Sequence, residues 1–197
     1  MDVAELINAW FDVPAHEDGD FIRPERTYAF EIIGPNRNAT RIIYCTKQSI
    51  THRLLNECNC PLECGVVSRG GLPDAADIDW LRNLIGQREL VFLGDMDPAD
   101  IMIFGWLRAM LQPVSVTHLG INNQLNLRLG YPTPERHRIK LCRTENNAVS
   151  RLEEFVPDVE DVLGVECLNM LHSGYKIELE AIVWDHVSQI MEYAIGQ

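Results

Sequence analysis

From residue 41 to residue 119 the chain alternates short apolar runs with amphipathic stretches. Arg41-Ile42-Ile43-Tyr44-Cys45, Gly65-Val66-Val67-Ser68, Leu90-Val91-Phe92-Leu93 and Val114 to Leu119 have the length and composition of buried strands. Between them lie residues at helical spacing. Ile50, Leu54 and Leu55 follow Thr46 or Ser49 as N-cap, and Pro73 opens a helix whose buried face is Ile78, Leu81 and Ile85, closed by Gly86. Ala99 to Leu111 is apolar almost all round, which places that helix in the interior. Strands alternating with helices in this way predict parallel βαβ units with right-handed crossovers.

The flanks read differently. Residues 2–10 carry Val3, Leu6, Ile7 and Trp10 on one helical face, 11–26 form a charged, proline-containing loop, and Thr27 to Ile33 reads as a strand closed by Gly34-Pro35-Asn36. Beyond Gly120, residues 121–137 are expected to be an irregular connection and Arg138 to Leu141 a short edge strand. Helices are expected near 146–155, 159–172 and 177–194; the last carries Ile177, Leu179, Ile182, Val183, Val187, Ile190, Met191 and Ala194. The expectation is therefore an α/β protein with a four-stranded, largely parallel sheet flanked by helices. An N-terminal arm covers 1–39, and the main domain covers 40–197 with a C-terminal helical extension.

At 197 residues the chain has the length of a single domain. Its longest apolar run, Ile101 to Trp106, is far short of the roughly 20 residues a bilayer-spanning helix needs. The N-terminus has no basic region ahead of an apolar stretch, so the expectation is a cytoplasmic protein with no membrane association. The six cysteines are then expected to be reduced. Cys58, Cys60 and Cys64, with His52 nearby, have metal-like spacing but lack the second paired knuckle that marks a zinc site; thiols without metal are the default. A net charge of −12 argues against coating nucleic acid by electrostatics alone, but not against a site where metal ions bridge acids to phosphate. The acids lie mainly in 17–20, 74–79 and 153–166, each read as a solvated face or loop.

The third strand ends in Gly94-Asp95-Met96-Asp97-Pro98. Ligands of open α/β sheets collect at the carboxyl ends of strands, and two carboxylates there suit a hard cation such as Mg²⁺ with waters and a substrate phosphate. Asp97, followed by Pro98 and then Asp100, also reads as an N-cap with an acidic first turn. Asp95 precedes the cap and has no such structural reason. Lys47 reads either as a phosphate contact beside this edge or as an exposed lysine in a first helical turn, and Ser68-Arg69-Gly70-Gly71 reads as a turn. His118 is the best placed histidine, at a strand end. The chain contains neither a G-x-x-x-x-G-K-[ST] loop nor a G-x-S-x-G elbow.

An Asp-x-Asp after a strand occurs in haloacid-dehalogenase-type phosphatases, which place Gly-Thr after it rather than Pro98-Ala99, and in nucleotide-sugar transferases, whose nucleotide-binding pattern is not visible here. The third candidate matches in several places. Ile42-Ile43-Tyr44-Cys45-Thr46-Lys47, Gly70-Gly71-Leu72-Pro73-Asp74, Val91 to Pro98, His118-Leu119-Gly120, and Glu166 to Leu171 followed by Lys176 to Ala181 occur in order. Together they resemble the Toprim region of the topoisomerase VI A subunit and its meiotic double-strand-break relatives.

That resemblance implies Mg²⁺ held by Asp95 and Asp97, with Thr46 at the position of the family's metal-site Glu and Lys47 beside it. It implies phosphodiester chemistry on DNA and a homodimer. Thr46 lacks the charge and basicity of a carboxylate. The family's nucleophilic tyrosine lies in a separate upstream domain, and none of Tyr28, Tyr44, Tyr131, Tyr175 and Tyr193 has a visible claim to that role, so a partner chain would have to supply it. The expected function is thus a Toprim-like, Mg²⁺-dependent nuclease or topoisomerase-like module. The alternative is a catalytically degenerate Toprim-like module that binds a partner.

Overall fold

The computed structural model describes residues 31–33, 39–57, 64–130 and 137–195. Its main sheet has the order β1-β3-β2-β4-β5, built from β1 (Glu31–Ile33), β2 (Arg41–Cys45), β3 (Cys64–Ser68), β4 (Glu89–Leu93) and β5 (Val116–His118). The last four are mutually parallel, as the alternating pattern predicts. β1, the described part of the expected arm strand, pairs antiparallel with β3 and so closes that edge.

The crossovers are α1 (Gln48–Glu57), α2 (Ala75–Ile85) and α3 (Pro98–Met110). With this strand order, right-handed crossovers put α1 on one face and α2 and α3 on the other. The Arg82 guanidinium ties α2 to α3 by donating to the Met110 carbonyl at 2.7 Å. Ile42, Ile43, Tyr44, Val66, Val67 and Leu90 to Leu93 are all wholly buried, because both faces of the sheet are covered. Register aligns Tyr44, Phe92 and His118 across three strands, giving an aromatic row stacked at 5.8 Å spacings under Phe104 of α3.

The C-terminal half departs from expectation in ways that matter. Within 121–137, α4 (Asn123–Arg128) forms because the Asn122 side chain caps it, accepting from the Leu125 N–H at 2.8 Å. The helix expected at 146–155 is two, α5 (Arg143–Val149) and α6 (Leu152–Phe155). That at 159–172 is also two, α7 (Val159–Leu163) and α8 (Val165–His172), split at Gly164, whose φ of 83° a residue with a side chain rarely adopts. The last helix, α9, runs Glu180–Ile195 with a kink at His186. Residues 175–177, partly assigned to that helix, are instead strand β7 (Tyr175–Ile177), paired antiparallel with the edge strand β6 (Arg138–Lys140). Alternation explains this: Lys176, Glu178 and Glu180 are polar while Tyr175, Ile177 and Leu179 are apolar, a period of two. Among the described residues no helix is long and apolar enough to cross a membrane.

Candidate functional site at the strand-end crevice

β2 and β4 are neighbours, but the chain leaves β2 towards β3 on one side and β4 towards β5 on the other. Their carboxyl ends therefore form a topological switch point, where α/β sheets place ligands. Thr46 and Lys47 follow β2; Gly94 to Asp97 follow β4. All four sequence-predicted residues thus converge on one crevice. Gly94 and Gly120 permit the tight approach of the β4 and β5 ends: a Cβ on Gly120 would sit 2.6 Å from the Gly94 nitrogen, and the Ile121 N–H donates to the Gly94 carbonyl at 3.0 Å.

The crevice is filled by the chain itself. Met96, between the two acids, exchanges backbone hydrogen bonds with Ile177 of β7, at 3.0 and 3.2 Å. This lays residues 176–180 across the strand ends. Asp95, 3% exposed, accepts the Leu179 N–H on Oδ1 at 2.7 Å and pairs through Oδ2 with the Lys47 ammonium at 2.7 Å. Lys47 also contacts Glu178 at 3.4 Å and Glu180. Asp97 Oδ1 caps α3 by accepting the Asp100 N–H at 2.8 Å, and its Oδ2 lies 3.9 Å from Lys176. Lys176 is held in turn by Glu145 at 2.8 Å and Glu178 at 3.2 Å. Thr46, in place of the expected Glu, donates its hydroxyl to Asp100 Oδ2 at 2.8 Å, the same oxygen that accepts the Asp95 N–H at 2.7 Å.

Electrostatics follow from this burial. Desolvation, then the charge of Asp97, pushes Asp95 up to about 6 against the opposing pull of Lys47. Burial likewise raises Asp97. Asp100 is driven well above the carboxylate range, by burial first and then by its two acidic neighbours, which favours its protonated form. Burial works against the Lys47 ammonium, but its bonds to Asp95 and Glu180 outweigh this and keep its pKa above the ordinary lysine value. Glu145 is buried enough to resist ionisation, yet Lys176 pulls it below its usual value.

A Mg²⁺ ion requires near-octahedral oxygen coordination, with several ligands left to water and phosphate. As arranged, this donor set does not fit it. Both Asp95 oxygens are engaged, an ammonium stands 2.7 Å from one of them, Asp97 Oδ1 is committed to a helix end, and Thr46 faces Asp100. No group of three metal-ligating side chains converges among the described residues.

Other candidates resolve less favourably. Cys58 and Cys60, like His16, Tyr28, Tyr131 and the acids of 17–20, lie outside the described residues, and with them most of the metal-like cysteine spacing. Lys47 is not a lone surface lysine: it is the counter-ion of Asp95. Arg69 pairs with Asp77 at 2.5 Å and donates to the Leu72 carbonyl, so the Gly70-Gly71 turn is braced from within. His118 is buried between Phe92 and Phe104, neither ring nitrogen has a partner, and burial pulls it down to about 4, so it is neutral at pH 7. Helical spacing over 177–194 gives no hint that Lys176, Glu178 and the Leu179 N–H enter the crevice; the period-two alternation of 175–180 is the signal that does.

Comparison with models of known protein families and with curated proteins finds no match to this sequence.

Proposed function

We propose that this chain is a Toprim-like module, similar in plan to the topoisomerase VI A subunit, whose acidic strand-end edge is neutralised by lysines instead of a metal. It then serves as a binding module in a nucleic-acid setting, not as a phosphodiester-cleaving enzyme. The observation that carries this reading is the double engagement of Asp95 by the Lys47 ammonium and the Leu179 N–H. The four parallel strands in the order β3-β2-β4-β5, with the acids at the switch point, are compatible with that family's plan.

The rival reading is Mg²⁺-dependent phosphodiester chemistry through Asp95 and Asp97. It draws on the excess of carboxylates over lysines, since among the described residues Asp95, Asp97, Glu145, Glu178 and Glu180 pair only with Lys47 and Lys176. Titration calorimetry with Mg²⁺ and Mn²⁺, alongside nicking of supercoiled DNA, separates the two. The binding-module reading expects no saturable metal binding and no nicking in the native protein. Binding and nicking that both disappear in Asp95→Ala/Asp97→Ala would overturn it.

A further inference from the structure

The chain is acidic, yet positions 136–143 hold four of its 17 lysines and arginines and no Asp or Glu. Within the described part of this stretch, Arg138, Lys140 and Arg143 are all exposed. Several described cations elsewhere pair with a carboxylate, Arg41 with Glu89, Lys47 with Asp95, Arg69 with Asp77, Arg108 with Asp158 and Lys176 with Glu145, while Arg88 is held by backbone carbonyls. Among the described residues, Arg138, Lys140 and Arg143 contact no carboxylate, and the one recorded contact is the Arg138 guanidinium lying 4.8 Å from the centre of the Tyr175 ring.

Register places these groups on one surface. Lys140 faces Tyr175 directly across the β6–β7 ladder and Arg138 faces Ile177, so Arg138, Lys140 and Tyr175 share one face of the ribbon. The Leu141 N–H donates to the Gly174 carbonyl at 2.8 Å, and Ile177 turns its own backbone to Met96. The alternation of an antiparallel ladder then directs the N–H groups of Arg138 and Lys140 to the outer edge, which no described strand covers.

Any charge protects an edge strand from unwanted pairing. That protection does not require cations in an acidic chain, nor an aromatic ring under one of them. Arg143, the first residue of α5, adds a third exposed cation to the two on β6. A polyanionic partner would match the three exposed cations by charge complementarity and the Arg138–Tyr175 pair by stacking. The ribbon is moreover bonded through Ile177 to Met96, between Asp95 and Asp97, so a strand held on it lies beside the switch-point crevice.

We infer that the β6–β7 ribbon is a contact surface for single-stranded nucleic acid. Arg138, Lys140 and Arg143 take the phosphodiester backbone, and the Arg138–Tyr175 stack takes a base. Paired cation and ring surfaces of this kind bind single strands without reading sequence. The choice of nucleic acid over another polyanion rests on the Toprim-like reading; the location of the surface does not.

Fluorescence anisotropy of a labelled mixed-sequence single strand, in EDTA, tests this on the full chain. Three phosphate contacts predict a log–log salt slope of about −2. Arg138→Glu/Lys140→Glu should weaken binding by at least about tenfold with unchanged circular dichroism. Tyr175→Leu should weaken binding while preserving the slope. Absence of salt-dependent binding, or equal binding by the charge-reversal variant, would overturn the inference. So would competition by polyglutamate as effective as that by oligonucleotide, which would assign the surface to an acidic protein. Metal-dependent nicking with intact ribbon binding would instead defeat only the reading of the acidic edge.

Discussion

The acidic strand-end edge and the basic ribbon are joined by a single backbone bridge, Met96 to Ile177, yet they treat charge in opposite ways. At the edge, Lys47 and Lys176 are each shared among several carboxylates, and Asp95 has a partner on each oxygen. On the ribbon, Arg138, Lys140 and Arg143 are exposed and have no carboxylate partner among the described residues. Charges compensated inside the fold contribute to holding it; charges left uncompensated at the surface are available to something outside it. An acidic pair after a strand therefore does not by itself locate function.

The largest test of this contrast is stability. Lys47→Met leaves the buried Asp95 without its counter-ion; protonation of Asp95, already raised to about 6, limits the loss, so denaturant unfolding at pH 7 should show a cost of about 1–3 kcal/mol. Arg138→Ala and Lys140→Ala should each change stability by no more than about 0.5 kcal/mol. A mild effect of Lys47→Met, or a large one on the ribbon, would erase the distinction.

Asp97 sharpens it at the next level. If its main task is to cap α3, Asp97→Ala should cost about 1 kcal/mol, while Asp97→Asn, which keeps the accepting oxygen, should cost a few tenths. A large loss in Asp97→Asn would show instead that the charge itself, facing Lys176, holds the edge.

A subtler effect is the response to pH. The folded-state pKa of Asp95 is raised to about 6, so its contribution is present at low pH and is lost as pH rises from the ordinary aspartate value through 6. His118, lowered to about 4, acts the other way: its contribution is lost as pH falls from the usual imidazole range towards 4. Melting curves between pH 7 and pH 5 should consequently fall more steeply for Asp95→Asn than for the native protein, and less steeply for His118→Phe. The latter also removes two unpartnered ring nitrogens, so its stability at pH 7 should be unchanged or higher by about 1 kcal/mol. Parallel curves for all three proteins would contradict both assignments.

Much of the fold was legible because period and punctuation agreed. Short apolar runs gave the four parallel strands, and Asp97-Pro98 marked the start of α3 at the correct residue. The switch-point crevice was legible too, since it follows from strand order and the residues after β2 and β4. What was not legible is what fills it. Lys176, Glu178 and Leu179 lie more than eighty residues from Asp95, and the strong helical spacing that follows them masked their own alternation. The Asn122 cap was hidden for a related reason: a polar pair in a connection reads as loop until the buried Leu125 behind it is known. Local propensity was overruled in both cases by tertiary contacts that a sequence does not display.

The central claim, that Lys47 stands where a metal would, is tested most directly by following thermal unfolding of the native protein and Lys47→Met as Mg²⁺ is added. The account predicts no shift for the native protein and a saturable rise in Tm for Lys47→Met, as the ion compensates carboxylates that have lost their ammonium. A saturable rise for the native protein, or none for the variant, would contradict it.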